Sequence, residues 1–305
     1  MRYPSKVRIR EVSPRDGLQA EPVTLSAQHK AELIDRLSAA GLPQVNATSF
    51  VRPDAVPQLA DAADVMATIN RVPGVVYDAT VPNVVGARRA IEARADAVSV
   101  FVAASEGGSK SNVKRGTEEA MSEAERVVQL ARSAGLGVIG TVSTAFGSAY
   151  EGTVPPGRVL ELARRFVAAG VTSLAIGDTS GEGTPRQVAA MVSMLAGEFG
   201  DFPVALHLHD TRGFALANVL AAMDEGATSF DAAVGGIGGS PYTRNSAGNV
   251  PTEELVHMCH EAGVETGVDL EALLDTYVFL ERVLGHPLAG RLGRVGPSKT
   301  VTVIQ

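Results

Sequence analysis

Two histidines separated by one leucine, His207 and His209, have a spacing that suits the binding of one metal ion. Residues i and i+2 of a β-strand project to the same side, so both imidazoles can reach one ion. Imidazole is also the side chain that titrates near neutral pH. The alternative interpretation is that one or both histidines are hydrogen-bonded within a core. Polar residues that lie close to the two histidines would favour the metal site over the interpretation as core histidines.

Further polar residues follow short apolar runs elsewhere in the sequence. Arg15 and Asp16 come after the first such run, Asp178 ends the sixth, and a glycine-rich loop over residues 235–249 follows the eighth. If these runs are parallel strands of a closed barrel, their carboxyl ends meet at one face. Barrel enzymes carry their active sites at that face.

The elements that would position these residues alternate regularly along the chain. Runs rich in β-branched residues alternate about eight times with segments of helical period. The predicted strands are 7–12, 44–47, 75–79, 97–103, 137–144, 173–178, 204–210 and 229–233. Helices are predicted after the N-cap Ser26 and near 56–70, 83–94, 117–134, 156–169, 185–199 and 213–225.

This alternation predicts an α/β fold of the (β/α)₈ TIM-barrel type over residues 1–267. A doubly wound open sheet is the competitor, but it usually has a glycine-rich dinucleotide loop after its first strand, and this chain has Ser-Pro-Arg-Asp-Gly there. Residues 268–305 exceed the eight units. They are expected to form a C-terminal helical extension packed on the barrel, with a helix over 270–284 and a loop over 285–299.

Barrel closure would bring strand 8 beside strand 1, with strand 7 next along. Asp16, His207, His209 and a side chain from the strand-8 loop can then converge. Such a mixed nitrogen and oxygen set suits Mg²⁺, Mn²⁺ or a similar divalent ion. The single cysteine, Cys259, excludes a zinc site made of several thiolates.

Two charged residues near this centre have more than one interpretation. Arg15 could stabilise an oxyanion or enolate that develops beside a metal, or it could be a structural ion-pair partner. Asp178 could orient a ligand or accept a proton, or it could hold its own loop.

Composition narrows the function classes. The chain has 305 residues, 45% of them hydrophobic, and a formal charge of −7. This balance argues against a nucleic-acid surface. No apolar run reaches the length of a membrane span and the first residues do not form a signal peptide, so a cytoplasmic protein is expected.

Five segments together resemble a known family, 3-hydroxy-3-methylglutaryl-CoA lyase, within the metal-dependent acyl-lyase and condensing-enzyme barrels. The resemblance runs in order from about residue 7 to 270. It rests on residues 11–21 (EVSPRDGLQAE), 48–51 (TSFV), 177–179 (GDT), 207–211 (HLHDT) and 238–249 (GGSPYTRNSAGN).

The resemblance implies a role for each matching position. It implies a metal bound by Asp16, His207, His209 and Asn249, and an Arg15 that stabilises the enolate of the departing acyl-CoA. Catalytic roles are likewise expected for Asp178, His207 and the loop residue Ser240. Substrate contacts are expected from Gln19, Asn46, Ser105, Lys110 and Asn112, of which the last three belong to a segment expected to wrap the acyl-CoA.

Two positions depart from the family pattern. Ser240 stands where the family carries a cysteine implicated in proton delivery, and a hydroxyl is a much weaker acid than a thiol. Asn46 stands where the family carries a glutamate. The chain also has arginines at three predicted strand-end loops, Arg52, Arg212 and Arg244. These changes suggest a more anionic acyl group held by a bidentate arginine, with surface arginines as the alternative.

The sequence therefore predicts a divalent-metal lyase that cleaves a 3-hydroxyacyl-CoA. One alternative is a Claisen-type condensing enzyme or 2-oxo acid aldolase that uses the same groups. Another is a barrel that binds acyl-CoA or metal without turnover. A homodimer is expected by analogy with other barrels, and neither nucleic acid nor membrane is expected as a partner.

Overall fold

A computed structural model describes residues 3–239 and 247–297 of the chain. Eight parallel strands pair in sequence order, and β1 pairs with β8, so the sheet is a closed barrel. The strands are β1 Arg8–Glu11, β2 Gln44–Ser49, β3 Val76–Thr80, β4 Ala97–Ala103, β5 Gly137–Ser143, β6 Ser173–Asp178, β7 Val204–Leu208 and β8 Ser229–Ala232. The predicted (β/α)₈ fold is confirmed.

The helices of the described chain surround this barrel. They are α1 Ala27–Ala39, α2 Ala62–Thr68, α3 Val84–Glu92, α4 Glu106–Val113, α5 Thr117–Ser133, α6 Pro156–Ala169, α7 Pro185–Phe199, α8 Ala215–Asp224, α9 Thr252–Glu261, α10 Leu270–Leu284 and α11 Leu292–Val295. The predicted cap of α1 is present, since the Ser26 hydroxyl accepts the His29 N–H at 3.2 Å. In the part of the chain that the structure describes, no helix is both long and apolar enough to cross a membrane.

Three segments outside the strands differ from the sequence prediction. The expected helix over 56–70 is a 3₁₀ turn, Pro57–Leu59, followed by the short α2. Residues 106–113 form a helix that was not predicted, because two glycines make the segment a weak helix former. The expected loop over 285–299 contains the one-turn helix α11.

The C-terminal helix α10 packs on the outside of the barrel against α1. The Arg36 guanidinium of α1 lies 4.6 Å from the centre of the Phe279 ring, and the N–H of Asp269 donates to the carbonyl of Ala40. The division of the chain at residue 267 stays a prediction, and residues 298–305 lie outside the described residues.

Strand register places polar residues from neighbouring strands in one layer of the barrel interior. Arg10 of β1 pairs with Asp231 of β8, and Asp231 pairs with His207 of β7. Barrel interiors are usually filled by bulky branched side chains. In this barrel the layer instead contains the polar residues Arg10, His207 and Asp231.

Candidate active site

Asp16 lies in a tight turn directly after β1. Residues Ser13–Gly17 form a single π-helical turn, in which the Asp16 N–H donates to the Val12 carbonyl at 2.7 Å. The turn directs the carboxylate toward the axis of the barrel, where it is 7% exposed. Pro14 is the second residue of the turn, where a backbone N–H would have no acceptor, and proline has no N–H.

His207 and His209 converge on that carboxylate. The two Nε2 atoms are 3.0 Å apart. Oδ2 of Asp16 lies 3.8 Å from Nε2 of His207 and 3.7 Å from Nε2 of His209. β7 ends at Leu208, one pair of residues earlier than predicted, so that His209 lies just past the strand and bridges to Asn249.

Asn249 reaches the cluster because the backbone around it pairs antiparallel with the end of β7. The Asp210 N–H donates to the Gly248 carbonyl at 2.9 Å, and the Val250 N–H donates to the Leu208 carbonyl at 3.0 Å. The Asn249 side-chain amide donates to Oδ2 of Asp16 at 2.9 Å. Its Oδ1 is buried and has no hydrogen-bond partner among the described residues.

These four side chains fit a divalent ion. One ligand atom from each of Asp16, His207 and His209 lies within 4.8 Å of the others. Neighbouring ligands of an octahedral ion with bonds of roughly 2.1 Å are about 3 Å apart, close to the separation of the two ring nitrogens. The buried, unpaired Oδ1 of Asn249 would be a fourth ligand atom. Mixed nitrogen and oxygen ligands of this kind bind divalent metal ions.

The electrostatics of the cluster favour an ionised Asp16 and a neutral His209, the forms that bind a metal, whereas they favour protonation of His207 while no ion is bound. Burial alone would raise the pKa of Asp16, but the charges of Arg15 and the two histidines outweigh it and hold this pKa at about 2. Burial and the neighbouring His207 lower the pKa of His209 to about 4. Burial opposes protonation of His207 as well, yet the hydrogen bond to Asp231 and the charge of Asp16 raise its pKa overall.

Arg15 lies beside the cluster. Its terminal nitrogen NH1 donates to Oδ1 of Asp16 at 2.7 Å, and its Nε is buried without a partner among the described residues. The guanidinium therefore keeps a donor for another acceptor. An oxygen of a bound ligand that gains negative charge would satisfy it.

A cavity of about 700 Å³ opens beneath the cluster. Asp16, His207 and His209 line its upper part, and Arg15, Gln19, Asn46 and Asn112 also face it. Other parts of its wall come from Arg10, Thr80, Ser99, Phe101, Thr141, Ser143, Gly177, Thr179 and Asp231. The volume and the mixed polar and apolar lining suit a small-molecule ligand.

The side chain of Asp178 does not line the cavity, where the predicted catalytic role would require it to be. Its two carboxylate oxygens each accept a backbone N–H at 2.9 Å, from Glu182 and from Gly183. Its neighbours Gly177 and Thr179 line the cavity, whereas its own side chain turns into the loop. Burial raises the pKa of Asp178 to about 6. The geometry favours the loop-holding alternative.

Four predicted substrate contacts lie outside the described wall of the cavity. Ser105 is fully buried, where it caps α4 and donates to the Ser148 hydroxyl. Lys110 is exposed and pairs with Glu106 at 3.1 Å. Arg52 pairs with Asp54 on the surface, and the Arg212 guanidinium donates to the carbonyls of Ser180 and Gly181. Each of these side chains has a structural partner of its own.

Two further predicted residues cannot be compared with the structure. Ser240 and Arg244 lie outside the described residues. Their predicted roles in proton delivery and in substrate binding stay predictions.

The sequence reasoning missed three charged residues in the barrel interior. Arg10, Asp78 and Asp231 are 7%, 0% and 2% exposed and are joined by hydrogen bonds. A signal was present, because a charge within a strand that is buried on both faces requires an opposite charge nearby. The apolar residues alone are sufficient to predict the strands, so the pattern does not draw attention to Arg10, Asp78 and Asp231.

The fold and this site together define a class of protein: a closed (β/α)₈ barrel with a candidate divalent-metal centre above a polar cavity. A family profile described as HMGL-like matches residues 6–279. The chain belongs to the HMGL-like family.

Known relatives are similar over nearly the whole chain. The mitochondrial hydroxymethylglutaryl-CoA lyase of Gallus gallus is 44% identical over 284 residues, or 93% of this chain and 95% of that protein. The hydroxymethylglutaryl-CoA lyase YngG of Bacillus subtilis is 41% identical over 95% of this chain and 97% of its own. The solved structure of an HMG-CoA lyase from Acinetobacter baumannii, in complex with coenzyme A and 3-methylmalate, superposes with a TM-score of 0.95. It is 35% identical and both chains are fully covered.

Proposed function

We propose that this protein is a divalent-metal-dependent lyase that cleaves a 3-hydroxyacyl-CoA between C2 and C3. Membership of the HMGL-like family identifies the chain as an enzyme of the lyase class. The observation that carries the finer proposal is the convergence of Asp16, His207, His209 and Asn249 above a cavity large enough for an acyl group. The strand pattern predicted Asp16, His207 and His209 as ligands of the ion, and the family resemblance implied Asn249.

The metal would be held by Nε2 of both histidines, a carboxylate oxygen of Asp16 and Oδ1 of Asn249. A divalent ion in such a site lowers the pKa of a hydroxyl group bound to it and polarises a neighbouring carbonyl. The remaining steps of the proposed mechanism are assigned to side chains of the protein itself.

The first step removes a proton from the substrate hydroxyl. His207 was predicted for a catalytic role, but its Nε2 faces the metal position and its Nδ1 faces Asp231, so no free lone pair remains. We therefore propose Oδ1 of Asp231 as the proton acceptor. This oxygen lies on the buried wall of the cavity and has no hydrogen-bond partner among the described residues.

The bond between C2 and C3 then breaks as the C3 hydroxyl becomes a carbonyl. The bonding electron pair moves to C2 and forms the enolate of the departing acyl-CoA. Arg15, which keeps an unpaired Nε, is proposed to donate to the enolate oxygen. Protonation at C2 completes the reaction, so one proton leaves the hydroxyl and one proton is added to carbon.

The substrate is proposed to be hydroxymethylglutaryl-CoA or a related acyl-CoA that carries a carboxylate. The close relatives are hydroxymethylglutaryl-CoA lyases by name. The Acinetobacter baumannii neighbour was solved with coenzyme A and 3-methylmalate, a hydroxydicarboxylate. Asn46 on the cavity wall makes the acyl pocket of this chain less acidic than a glutamate would, which suits an anionic acyl end.

The test is a coupled assay with purified protein and Mg²⁺ or Mn²⁺. Hydroxymethylglutaryl-CoA and the CoA thioester of 3-methylmalate are offered separately, and the product thioester and the carbonyl fragment are both measured. Cleavage of either substrate that stops with chelator and returns with added metal supports the proposal. Metal-independent cleavage, or no cleavage of either thioester, contradicts it.

The same assay addresses the condensing-enzyme alternative. Incubation with an acyl-CoA and a 2-oxo acid releases free thiol only if the protein condenses them. The named relatives are lyases, so we expect no thiol release. A homodimer and a cytoplasmic location stay predictions.

A further inference from the structure

Behind His207, four buried polar side chains form one hydrogen-bonded network across the barrel interior. We call Asn46, Asp78, Arg10 and Asp231 the interior network. They come from β2, β3, β1 and β8, so that together with His207 of β7 the hydrogen bonds link five of the eight strands. All four are at most 7% exposed. A buried network that spans several strands can be stable only if nearly every member is paired.

Asp78 is the acceptor at the centre of the network. Its carboxylate accepts from Arg10 through both oxygens, at 2.9 and 2.7 Å. It also accepts the Gln44 amide at 3.0 Å and the Asn46 amide at 2.7 Å. The bidentate ion pair orients the planar guanidinium in the layer below the candidate metal centre.

Arg10 connects Asp78 to His207 through Asp231. Its other terminal nitrogen donates to Oδ2 of Asp231 at 2.9 Å, and the same oxygen lies 3.1 Å from Nδ1 of His207. An ionised carboxylate at this position accepts a hydrogen bond, which requires the proton of neutral His207 to be on Nδ1. Nε2 is then the free lone pair, and it is the nitrogen that faces Asp16 and His209.

The network also determines which residue type position 46 can hold. The Asn46 amide nitrogen donates to Asp78, and its oxygen accepts the Thr80 hydroxyl at 3.2 Å. A carboxylate in the same place has no proton to donate and would lie against Oδ2 of Asp78 without a cation between them. Like charges at hydrogen-bond distance disfavour each other's ionisation in a buried site.

We propose that Asp78 and Arg10 are positioning residues for the metal ligand His207, acting through Asp231, and that Asp78 fixes the amide at position 46. This inference rests on the proposed metal centre and extends it to the strands beneath. In this chain the buried carboxylate in the layer below the candidate metal centre is Asp78 of β3, and the neutral residue beside it is Asn46 of β2.

The first test measures the tautomer of His207 in the metal-free wild-type protein. The chain has six histidines, so ¹⁵N-histidine labelling gives a simple spectrum, and His207→Gln assigns the signal. At alkaline pH we expect the neutral ring to carry its proton on Nδ1. A proton on Nε2 would overturn the inference without any other variant.

The second test measures Mn²⁺ affinity by calorimetry. Asp78→Asn keeps the shape and removes the charge that orients Arg10, and we expect it to weaken Mn²⁺ binding about tenfold or more. Asp96→Asn is the control for loss of a carboxylate that pairs with an arginine, because Asp96 accepts from Arg71 but is 43% exposed and lies before β4, at the opposite end of the strands. The control is expected to bind Mn²⁺ like the wild type.

The third test separates charge from size at position 46. Asn46→Glu is expected to lower the melting temperature more than Asn46→Gln, which has the same length without the charge. Adding Asp78→Asn to Asn46→Glu restores the original count of carboxylates and is expected to recover part of the lost melting temperature. Equal melting temperatures for the Glu and Gln variants would contradict the role given to Asp78.

These readouts are independent of the substrate. If the protein binds Mn²⁺ and the variants behave as expected but no thioester is cleaved, the proposed reaction fails and the positioning role stands. If cleavage is observed but Asp78→Asn is folded and binds Mn²⁺ like the wild type, the positioning role fails alone. A wild-type protein that binds no Mn²⁺ overturns both.

Discussion

The two sides of the barrel interior differ in the side chains that they present to the cavity. The side formed by β7, β8 and β1 to β3 contributes charged, imidazole and amide groups. These are Arg10, Asp16, Asn46, His207, His209 and Asp231. The side formed by β4 to β6 contributes small, hydroxyl and aromatic residues. These are Ser99, Phe101, Thr141, Ser143 and Gly177.

This difference indicates a division of labour. Groups that bind a metal must be held rigidly, and on the first side Arg10, Asp231 and His207 are hydrogen-bonded from strand to strand while Asp16 accepts from Asn249. Small side chains on the second side leave the space that a substrate requires. Substitutions on the first side should therefore change metal binding and turnover. Substitutions on the second side should change substrate affinity without changing metal binding.

The largest effect is expected from removal of a ligand on the charged side. In His209→Ala, the proposed site loses one of its two nitrogen ligands, and kcat/KM should fall at least about a thousandfold with a parallel loss of Mn²⁺ affinity. Steady-state kinetics and calorimetry measure both. Retention of Mn²⁺ affinity in this variant would show that the ion binds elsewhere.

A large effect on turnover alone is expected for Arg15→Gln. Loss of a charged donor to a developing oxyanion costs roughly 100 to 1,000-fold in kcat. The KM and the Mn²⁺ affinity should change much less, because Arg15 is not among the proposed ligands. An equal drop in Mn²⁺ affinity would instead identify Arg15 as a structural partner of Asp16.

A moderate effect is expected from filling the second side. Thr141→Leu adds bulk to the cavity wall and removes the hydroxyl contact with Ser99, which is 3.3 Å long. We expect kcat/KM to fall about ten- to a hundredfold, with Mn²⁺ affinity unchanged within about twofold. Thr141→Ser is the matched control, since it keeps the hydroxyl and the space, and it should resemble the wild type.

The smallest effects are expected outside both sides. Arg52 pairs with Asp54, and the two side chains are 78% and 68% exposed; such surface pairs contribute about 0–1 kcal/mol. Arg52→Ala and Arg212→Ala should therefore change KM by less than about threefold. A tenfold rise in KM for either variant would restore the sequence-based hypothesis that these arginines bind an anionic acyl group.

The sequence was sufficient to predict the eight strands, because alternating β-branched and helical segments follow from burial of the strands on both faces. The strand pattern also predicted three of the residues that converge, Asp16, His207 and His209, since they lie near strand ends that a closed barrel brings together. The position of Asn249 required the family resemblance, because a long loop carries it back to pair with β7.

The remaining differences have local causes. Arg52 and Ser105 found partners within a few residues or on an adjacent loop, and no periodic pattern encodes such contacts. Asp178 was interpreted correctly as a strand-end residue, but its loop offers two backbone donors that occupy the carboxylate. The ion pair between Arg10 and Asp78 depends on the register of three strands, which a single sequence does not specify.

The central claim is that one divalent ion is bound by four side chains at the carboxyl end of the strands. Crystals grown with Mn²⁺, with diffraction measured at the manganese absorption edge, test it most directly. The account predicts one anomalous peak per chain within bonding distance of Asp16, His207, His209 and Asn249. A protein that cleaves its substrate while the peak lies elsewhere, or while one of the histidines points away from the peak, would contradict it.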